Sequence, residues 1–267
     1  MDSVDTFWQD LAMLDWQVEL GADEAIGEAP VDRYALEPAA PKPQPQPDAA
    51  AKTKQAPPIP PKAPEIDRVA EARNAAGAAR DIPALSAALE AFAHCDLKRG
   101  ARKCVFARGN PAARLMVIGE VPTRAEDAAG YPFSGAEGEL LAKMLAAIDL
   151  DVEAEDAGKA AYLAAAMPWR VPGEGVPQPK DMAMMTPFLE RHITLANPDV
   201  LILMGNTACQ MLLGRGGITR LRGKWAEALG RPAMPMAHPA NLMKTPLAKR
   251  DAWADLLDIK AKLKELT

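Results

Sequence analysis

The 267 residues, 49% of them hydrophobic, suffice for a sizeable core, but no run of about 18 apolar residues occurs, so we expect no membrane-spanning segment. The chain opens with acidic residues rather than a basic segment, so we expect no signal peptide; three scattered cysteines without a C-x-x-C spacing argue against a disulfide framework and favour the cytoplasm. The formal net charge of −5 is unevenly distributed: residues 1–90 hold 8 basic and 16 acidic side chains, whereas residues 91–267 hold 23 and 20.

The first predicted element is a short amphipathic helix over residues 4–20, because its apolar side chains recur at intervals of three and four residues. These side chains are Phe7, Leu11, Leu14 and Val18. Residues 38–64 contain ten prolines among Gln, Lys and Ala, a composition typical of an extended, disordered linker. The helix either docks, on the rest of the chain or on a protein partner, or is marginal and frayed.

These patterns divide the chain into three parts. We expect an N-terminal amphipathic helix region at 1–35, a Pro-rich disordered linker at 36–64, and a folded domain at 65–267 whose core covers about 90–265.

Within the domain, helical patterns resume at 65–79 and 84–94, and strand-like and helical segments alternate from Arg114 onward. The predicted strands span 114–118, 161–167, 199–204 and 231–237. The predicted helices that follow them span 137–148, 181–196, 206–214 and 246–265. Ser134 and Glu137 have the spacing of a capping box at the start of the first of these helices. The expected fold class is α/β: a three-layer α/β/α sandwich with a central parallel four-stranded sheet.

Three chemically distinctive residues follow predicted strands at their carboxyl ends, where open α/β sheets bind ligands. Glu120, in Gly119-Glu120-Val121-Pro122, places a carboxylate at the mouth of a crevice. Phe133 would offer a flat apolar face to a planar heterocycle, although an ordinary core phenylalanine is the simpler alternative. His238 ends the last strand, where an imidazole suits acid/base work or stabilisation of an oxyanion at neutral pH.

Residues 214–250 are strongly basic. They hold one acid, Glu227, against eight basic residues: Arg215, Arg220, Arg222, Lys224, Arg231, Lys244, Lys249 and Arg250. Such a cluster is either the footprint of a polyanion or an ordinary solvated face. Leu242 and Met243 lie within it and would suit apolar wedges in a nucleic-acid helix.

The order of these motifs resembles the uracil-DNA glycosylase superfamily, and most closely its family 4 type, first known from thermophiles. The motifs are G-E-x-P, P-F-x-G, the R-x-P-G loop, a buried strand ending in Gly205-Asn206, L-R-G and H-P-x-x-L, spread over about residues 90–265. The resemblance implies the α/β/α fold and an enzyme that flips uracil out of DNA and hydrolyses its N-glycosidic bond.

Carried over position by position, the resemblance assigns roles to several residues. Glu120 faces the sugar and the attacking water, Phe133 stacks on the flipped base, and His238 hydrogen-bonds the base carbonyl as charge develops. Leu242 is the wedge that fills the gap in the duplex. The resemblance places DNA-backbone contacts at Arg222 and Lys244, and Arg220 of the basic cluster is a further candidate DNA-binding residue.

The sequence departs from the family pattern at the base-binding positions. Ala165 stands where the family has the asparagine that reads the uracil edge, and alanine cannot hydrogen-bond a base. Thr123 stands where the family has a glycine, and its hydroxyl is a candidate replacement for some of the lost polarity.

A further departure concerns iron. Family 4 members commonly hold an iron–sulfur cluster through four cysteines, and only Cys95 matches one of those positions. Phe92, Trp169 and Met185 occupy the others, so we expect no cluster, no metal and no other cofactor.

These observations lead to a DNA-repair N-glycosylase, a hydrolase acting on uracil or another deaminated base. The alternative is a catalytically impaired DNA-binding module of the same fold whose N-terminal tail recruits partners; a small-molecule hydrolase on the same sheet is a third. We expect DNA as the partner, through its phosphate backbone and a flipped base, and a monomer located in the cytoplasm with the nucleoid, without membrane contact.

Overall fold

The computed structural model describes residues 3–19 and 67–266, so the predicted linker at 36–64 and both of its boundaries lie outside the described residues. The chain divides into two units, Met1–Pro61 and Lys62–Thr267. In the first unit the described residues form helix α1 (Ser3–Glu19), as their spacing predicted. Its apolar side chains Phe7, Leu14 and Val18 are each more than half exposed.

The second unit holds the remaining described helices and strands. Its helices are α2 (Arg68–Ala78), α3 (Ile82–Ala91), α4 (Arg124–Ala129), α5 (Ala136–Ala146), α6 (Pro179–Ala196), α7 (Asn206–Leu213), α8 (Ile218–Leu221), α9 (Pro239–Lys244) and α10 (Ala248–Glu265). Its strands are β1 (Ala107–Gly109), β2 (Leu115–Ile118), β3 (Ala161–Ala164), β4 (Val200–Met204), β5 (Ala226–Ala228) and β6 (Arg231–Met236). None of the described helices is both long and apolar enough to cross a membrane.

The sheet confirms the predicted parallel core and adds two strands to it. Within the described residues its order is β1-β3-β2-β4-β6-β5, and the four predicted strands, β3-β2-β4-β6, run parallel in the middle. The prediction of four strands was incomplete, because β1 and β5 pair antiparallel at the two edges. Each edge strand has three residues and no apolar run, so the sequence carried no strand signal there.

Helices cover both faces of the sheet, which gives the three predicted layers. Leu115 and Val117 of β2 face one side and join a core with α5 and α10. Met116 and Ile118 face the other side and join a core with α6 and α7. Alternate residues of a strand point to opposite faces, so a strand buried on both reads as a continuous apolar run.

A third apolar cluster lies beside the sandwich, where α2 and α3 pack against α6. It contains Phe92, Cys95, Trp169 and Met185, the four residues that occupy the cysteine positions of the family pattern. All four are at most 6% exposed.

The N-terminus of α5 differs from the prediction. The capping box expected from Ser134 and Glu137 is absent, because α5 begins after Gly135, which has φ 74° and provides no side-chain cap. A capping box does form one helix earlier, where Thr123 and Glu126 cap α4 reciprocally. Glu137 is therefore free of the capping role that its spacing suggested.

Candidate active site

Parallel strands bring the three distinctive residues to one edge of the sheet. Glu120 follows β2, His238 follows β6, and Phe133 lies in the loop between α4 and α5. The ring of Phe133 lies against Gly119 and is stacked with the imidazole of His238. Glu120, Phe133 and His238 therefore share one edge of the sheet.

Glu120 is held by the N-terminus of α7. Its Oε1 accepts the backbone N–H groups of Asn206, at 2.7 Å, and Thr207, at 3.2 Å. A carboxylate is stabilised in this position because the first N–H groups of a helix lack partners within the helix. Gly205 makes the approach possible: it has φ 102°, and a Cβ there would lie 2.2 Å from Cδ of Glu120. A crevice of about 380 Å³ opens beside Glu120.

Phe133 lies in a tight turn that two glycines make possible. Its φ is 54°, and its backbone N–H donates to Oε1 of the buried Glu126. A Cβ on Gly119 would lie 2.9 Å from Cζ of the ring, and a Cβ on Gly138 would lie 1.7 Å from the Phe133 carbonyl oxygen. The side chain is fixed in place and only 2% of the residue is exposed.

His238 lies against Phe133 with its imidazole offset from the phenyl ring. The ring centroids are 5.5 Å apart and the planes differ by 19°. At α9, the backbone N–H of Ala240 donates to Nδ1 at 3.3 Å. When Nδ1 accepts this bond, the neutral imidazole carries its proton on Nε2.

Glu137 completes the site, and the sequence analysis gave it only a capping role. Its Oε2 lies 3.9 Å from Nδ1 of His238. Burial raises the pKa of Glu137; the charges of His238 and Lys244 lower it, and those of Glu126 and Glu120 raise it. An acidic residue in the first turn after the predicted stacking phenylalanine is the sequence signal that would have identified it.

The two predicted base-binding positions that depart from the family line two different cavities. Thr123 lines the crevice beside Glu120, but its hydroxyl donates to Oε2 of Glu126 in the capping box. Ala165 lines a separate small cavity together with Phe106 and His192, and its backbone N–H donates to the carbonyl of Phe106 at 3.2 Å. Their base-binding roles remain predictions.

Two of the predicted DNA contacts are engaged inside the fold. Leu242, predicted as a wedge, is 1% exposed and belongs to the core under α5 and α10; the exposed apolar neighbour is Met243, at 47%. Arg222 forms ion pairs with Asp255, which is buried, and with Asp251. Its guanidinium therefore joins the loop after α8 to α10, a structural task that phosphate binding would disrupt.

The remaining predicted DNA contacts, Arg220 and Lys244, are both exposed. Lys244 ends α9, and its charge acts on Glu137, which places it beside the candidate site. The loop that follows α9 carries Leu247, which is 89% exposed. The accessible basic and apolar groups near His238 are thus Lys244, Met243 and Leu247.

The residues at the iron–sulfur positions do not fit a cluster held by four thiolates. Phe92, Trp169 and Met185 offer a phenyl ring, an indole and a thioether, so Cys95 is the one thiol of the four. Phe92 meets Phe188 edge-on with ring centroids 5.3 Å apart, and burial raises the pKa of the Cys95 thiol. Among the described residues no group of three or more His, Cys, Asp or Glu side chains is arranged to hold a metal ion.

Comparison with known proteins places this geometry in context. The family model described as "Uracil DNA glycosylase superfamily" matches residues 106–257. The type-4 uracil-DNA glycosylase of Archaeoglobus fulgidus is 31% identical over 174 residues, which cover 62% of this chain and 84% of the relative. That of Thermotoga maritima is 31% identical over 153 residues, covering 56% and 77%. That of Sulfurisphaera tokodaii is 27% identical over 175 residues, covering 62% and 77%.

Proposed function

Since the chain belongs to the uracil DNA glycosylase superfamily, we propose that it hydrolyses the N-glycosidic bond of uracil, or of another deaminated base, flipped out of DNA. The observation that carries the proposal is the offset stack of His238 on Phe133 at the edge where α7 anchors Glu120. The relatives named above are uracil-DNA glycosylases, which supports the assignment of this protein to the class of DNA-repair glycosylases.

The offset between the two rings supports a specific mode of base binding. Centroids 5.5 Å apart in nearly parallel planes mean that the imidazole covers only part of the phenyl ring. A base in the layer of the imidazole would stack on Phe133 and turn its carbonyl edge toward Nε2 of His238. Because Phe133 is 2% exposed, the base reaches it only after neighbouring side chains move, which adds to the few kcal/mol that flipping costs.

The reaction adds water across the bond between the sugar and the base. The water oxygen bonds to C1′, the C1′–N bond breaks with its electron pair on the base, and a proton ends on the released base. Nε2–H of His238 stabilises the negative charge that develops on the base carbonyl. Glu120, with Oε1 fixed by α7, orients the water and stabilises the positive charge on the sugar.

DNA contact beyond the pocket is assigned to the exposed groups around α9. Lys244 and Arg220 would neutralise phosphates, and Met243 replaces the buried Leu242 as the wedge. We expect Lys244→Ala to weaken binding to all sequences alike and to reduce the salt dependence of the affinity. The cytoplasm is the compartment that such a substrate and three unpaired cysteines favour.

The same protein would work without an iron–sulfur cluster. The buried side chains of Phe92, Trp169 and Met185 fill the positions of three thiolates with apolar atoms, which supports this proposal. We expect purified protein to be colourless and its iron content to lie far below one atom per chain. Stoichiometric iron would contradict the assignment of these positions.

A second candidate function is a DNA-binding module with a degraded pocket and a partner-recruiting N-terminal region. Two observations favour it: Ala165 offers no side-chain hydrogen bond to a base, and Phe133 is only 2% exposed. Excision assays on oligonucleotides carrying uracil, hypoxanthine, xanthine or mismatched thymine separate the two. Release of uracil by the wild-type protein, lost in His238→Ala, supports the glycosylase. DNA binding without release of any base overturns it in favour of the module.

A further inference from the structure

Residues 98–103 form a second basic surface, which lies outside the family motifs and outside the basic stretch at 214–250. The loop reads Lys98-Arg99-Gly100-Ala101-Arg102-Lys103, so four of its six side chains are basic and none is acidic. Arg99, Arg102 and Lys103 are exposed. The loop borders an open depression of about 520 Å³, whose lining contains three basic residues, Lys98, Arg102 and Lys103, and one acidic residue, Glu90.

The sheet topology brings this loop to the edge that carries the candidate site. Strand β1 runs antiparallel to β3, so it begins where β3 ends, and its first residue, Ala107, pairs with Ala164. Just before β1, the backbone N–H of Val105 donates to the carbonyl oxygen of Pro168 at 2.8 Å. The loop therefore lies at the carboxyl edge of the parallel strands. In sheet order β1 is four strands from β6, about 19 Å, so the loop and α9 lie on opposite sides of the candidate site.

Contacts with α4 join the loop to the crevice of the candidate site. The backbone N–H of Arg102 donates to Oδ1 of the buried Asp127 at 2.7 Å, and Nζ of Lys103 donates to the carbonyl oxygen of Ala129 at 3.2 Å. Thr123 caps the other end of this six-residue helix and lines the crevice. The basic surface and the crevice are thus separated by the length of one short helix, about 9 Å.

The basic groups of the loop keep donors available for a ligand. Among the described residues, the guanidinium of Arg102 has no hydrogen-bond or ion-pair partner. Lys103 donates to Ala129, and an ammonium group has two further hydrogens to donate. Arg99 pairs with Asp96 at 3.8 Å, but both side chains are more than half exposed, so the pair is weak. Exposed cations without buried partners are the feature that attracts phosphates.

We propose that the loop at 98–103 binds backbone phosphates of DNA on the side of the flipped base opposite α9, with Arg102 and Lys103 as the contacting groups. The inference rests on the proposed function for the position of the flipped base, whereas the binding itself is electrostatic and needs no working pocket. A strand whose base enters the pocket continues from it in two directions along the edge of the sheet. This geometry favours DNA over an acidic protein as the ligand.

The salt dependence of DNA affinity tests the surface in the double variant Arg102→Gln, Lys103→Gln. The probe is a fluorescent single strand of about 20 nucleotides without uracil, which separates binding from base excision. We expect about tenfold weaker binding near 100 mM salt. The slope of log affinity against log salt should fall by about 1.4, because each lost phosphate contact on a single strand removes about 0.7.

The double variant Lys159→Gln, Lys264→Gln is the matched control, because it removes the same charge at the opposite edge of the sheet. Both lysines are exposed. Lys159 lies just before β3, and Lys264 follows Leu263, whose carbonyl oxygen accepts from Arg114, just before β2, at 3.0 Å. Equal losses of affinity in the two double variants would overturn the proposal, because net charge alone would then explain them.

Two further measurements keep the test decisive. If circular dichroism shows that the first variant is unfolded, Arg99→Gln with Arg102→Gln replaces it, because Lys103 then keeps its bond to α4. An unchanged affinity for DNA, with weaker binding to a polyglutamate peptide, would overturn the proposal in favour of an acidic protein as the ligand.

Base excision distinguishes a failure of this inference from a failure of the proposed function. On a single strand with one uracil, the Arg102→Gln, Lys103→Gln variant should raise KM about tenfold and leave kcat unchanged, since phosphate contacts are the same before and during bond cleavage. A lower kcat without weaker binding would contradict the role. If the wild-type protein releases no base but the variant still loses affinity for DNA, the glycosylase proposal fails and the phosphate-binding surface is supported.

Discussion

Two histidines are stacked on phenylalanines in the part of the domain that the structure describes, and the two stacks differ in geometry, burial and neighbours. His192 stacks on Phe106 with centroids 4.2 Å apart and planes 11° apart, and the hydroxyl of Tyr162 is hydrogen-bonded to its Nε2 at 2.8 Å. His238 lies offset on Phe133, with the ring centroids 5.5 Å apart, at the edge of the sheet, and faces Glu137.

Burial separates the two histidines. His192 is 2% exposed on α6, and burial lowers its pKa to about 3, so it is neutral at any physiological pH. Its ring is stacked nearly face to face on Phe106, and its Nε2 is already engaged by the hydroxyl of Tyr162. The side chain of His238 is 13% exposed, and the Glu137 carboxylate lies within 4 Å of its Nδ1. The same pair of residue types therefore serves as a core contact in one place and as a candidate site in the other.

Removing His238 should have the largest effect and should act on activity alone. We expect His238→Ala to lower uracil excision by about 100- to 1,000-fold in single-turnover assays, because the departing base loses its hydrogen-bond donor. The free energy of unfolding should fall less than in His192→Ala, since the His238 side chain is 13% exposed at the edge of the sheet. His94→Ala is the control for the loss of an imidazole, and excision within threefold of wild type in His238→Ala would contradict the role.

Removing His192 should do the reverse. His192→Ala leaves a cavity beside Phe106 and deprives the buried Tyr162 hydroxyl of its partner, so we expect the free energy of unfolding to fall by about 3 kcal/mol. Urea denaturation measures the loss. At a temperature where the variant is still folded, the excision rate should match that of the wild-type protein; a selective loss of rate would mean that this stack also serves catalysis.

Ala165 lies beside the His192 stack, and its replacement tests whether the pocket is limited by one residue. If the domain is an enzyme, Ala165→Asn should raise uracil excision ten- to a hundredfold, for about 1–3 kcal/mol of recovered transition-state binding. Ala165→Leu is the control of similar volume without an amide. No gain from asparagine, with no base released by either protein, would favour the binding module.

Acid should destabilise the fold through His192. Its folded pKa of about 3 lies below the 6.5 of an unperturbed histidine, so the unfolded chain takes up the proton first as the pH falls. Stability is therefore lost as the pH falls from 6.5 toward 3, by on the order of 1 kcal/mol at pH 5.5. Denaturation at several pH values should show this dependence reduced in His192→Gln, which does not titrate; parallel curves for the two proteins would contradict it.

The sequence alone determined the layers of the domain and the edge at which its chemistry lies. The four central strands and the helices between them are local patterns of apolar residues, which depend only on neighbours along the chain. Because parallel strands end at one edge, the positions of Glu120 and His238 after β2 and β6 brought both to that edge.

The tertiary structure alone decided which of the predicted residues are available for function. Leu242 and Met243 are adjacent and both apolar, yet one is 1% and the other 47% exposed, because α5 and α10 cover only one of them. Arg222 and Lys244 are both basic, yet Asp255, 33 residues further along the chain, engages the first. Glu137 faces His238 although 101 positions separate them. Burial and charge pairing depend on contacts between distant segments, and no local pattern encodes them.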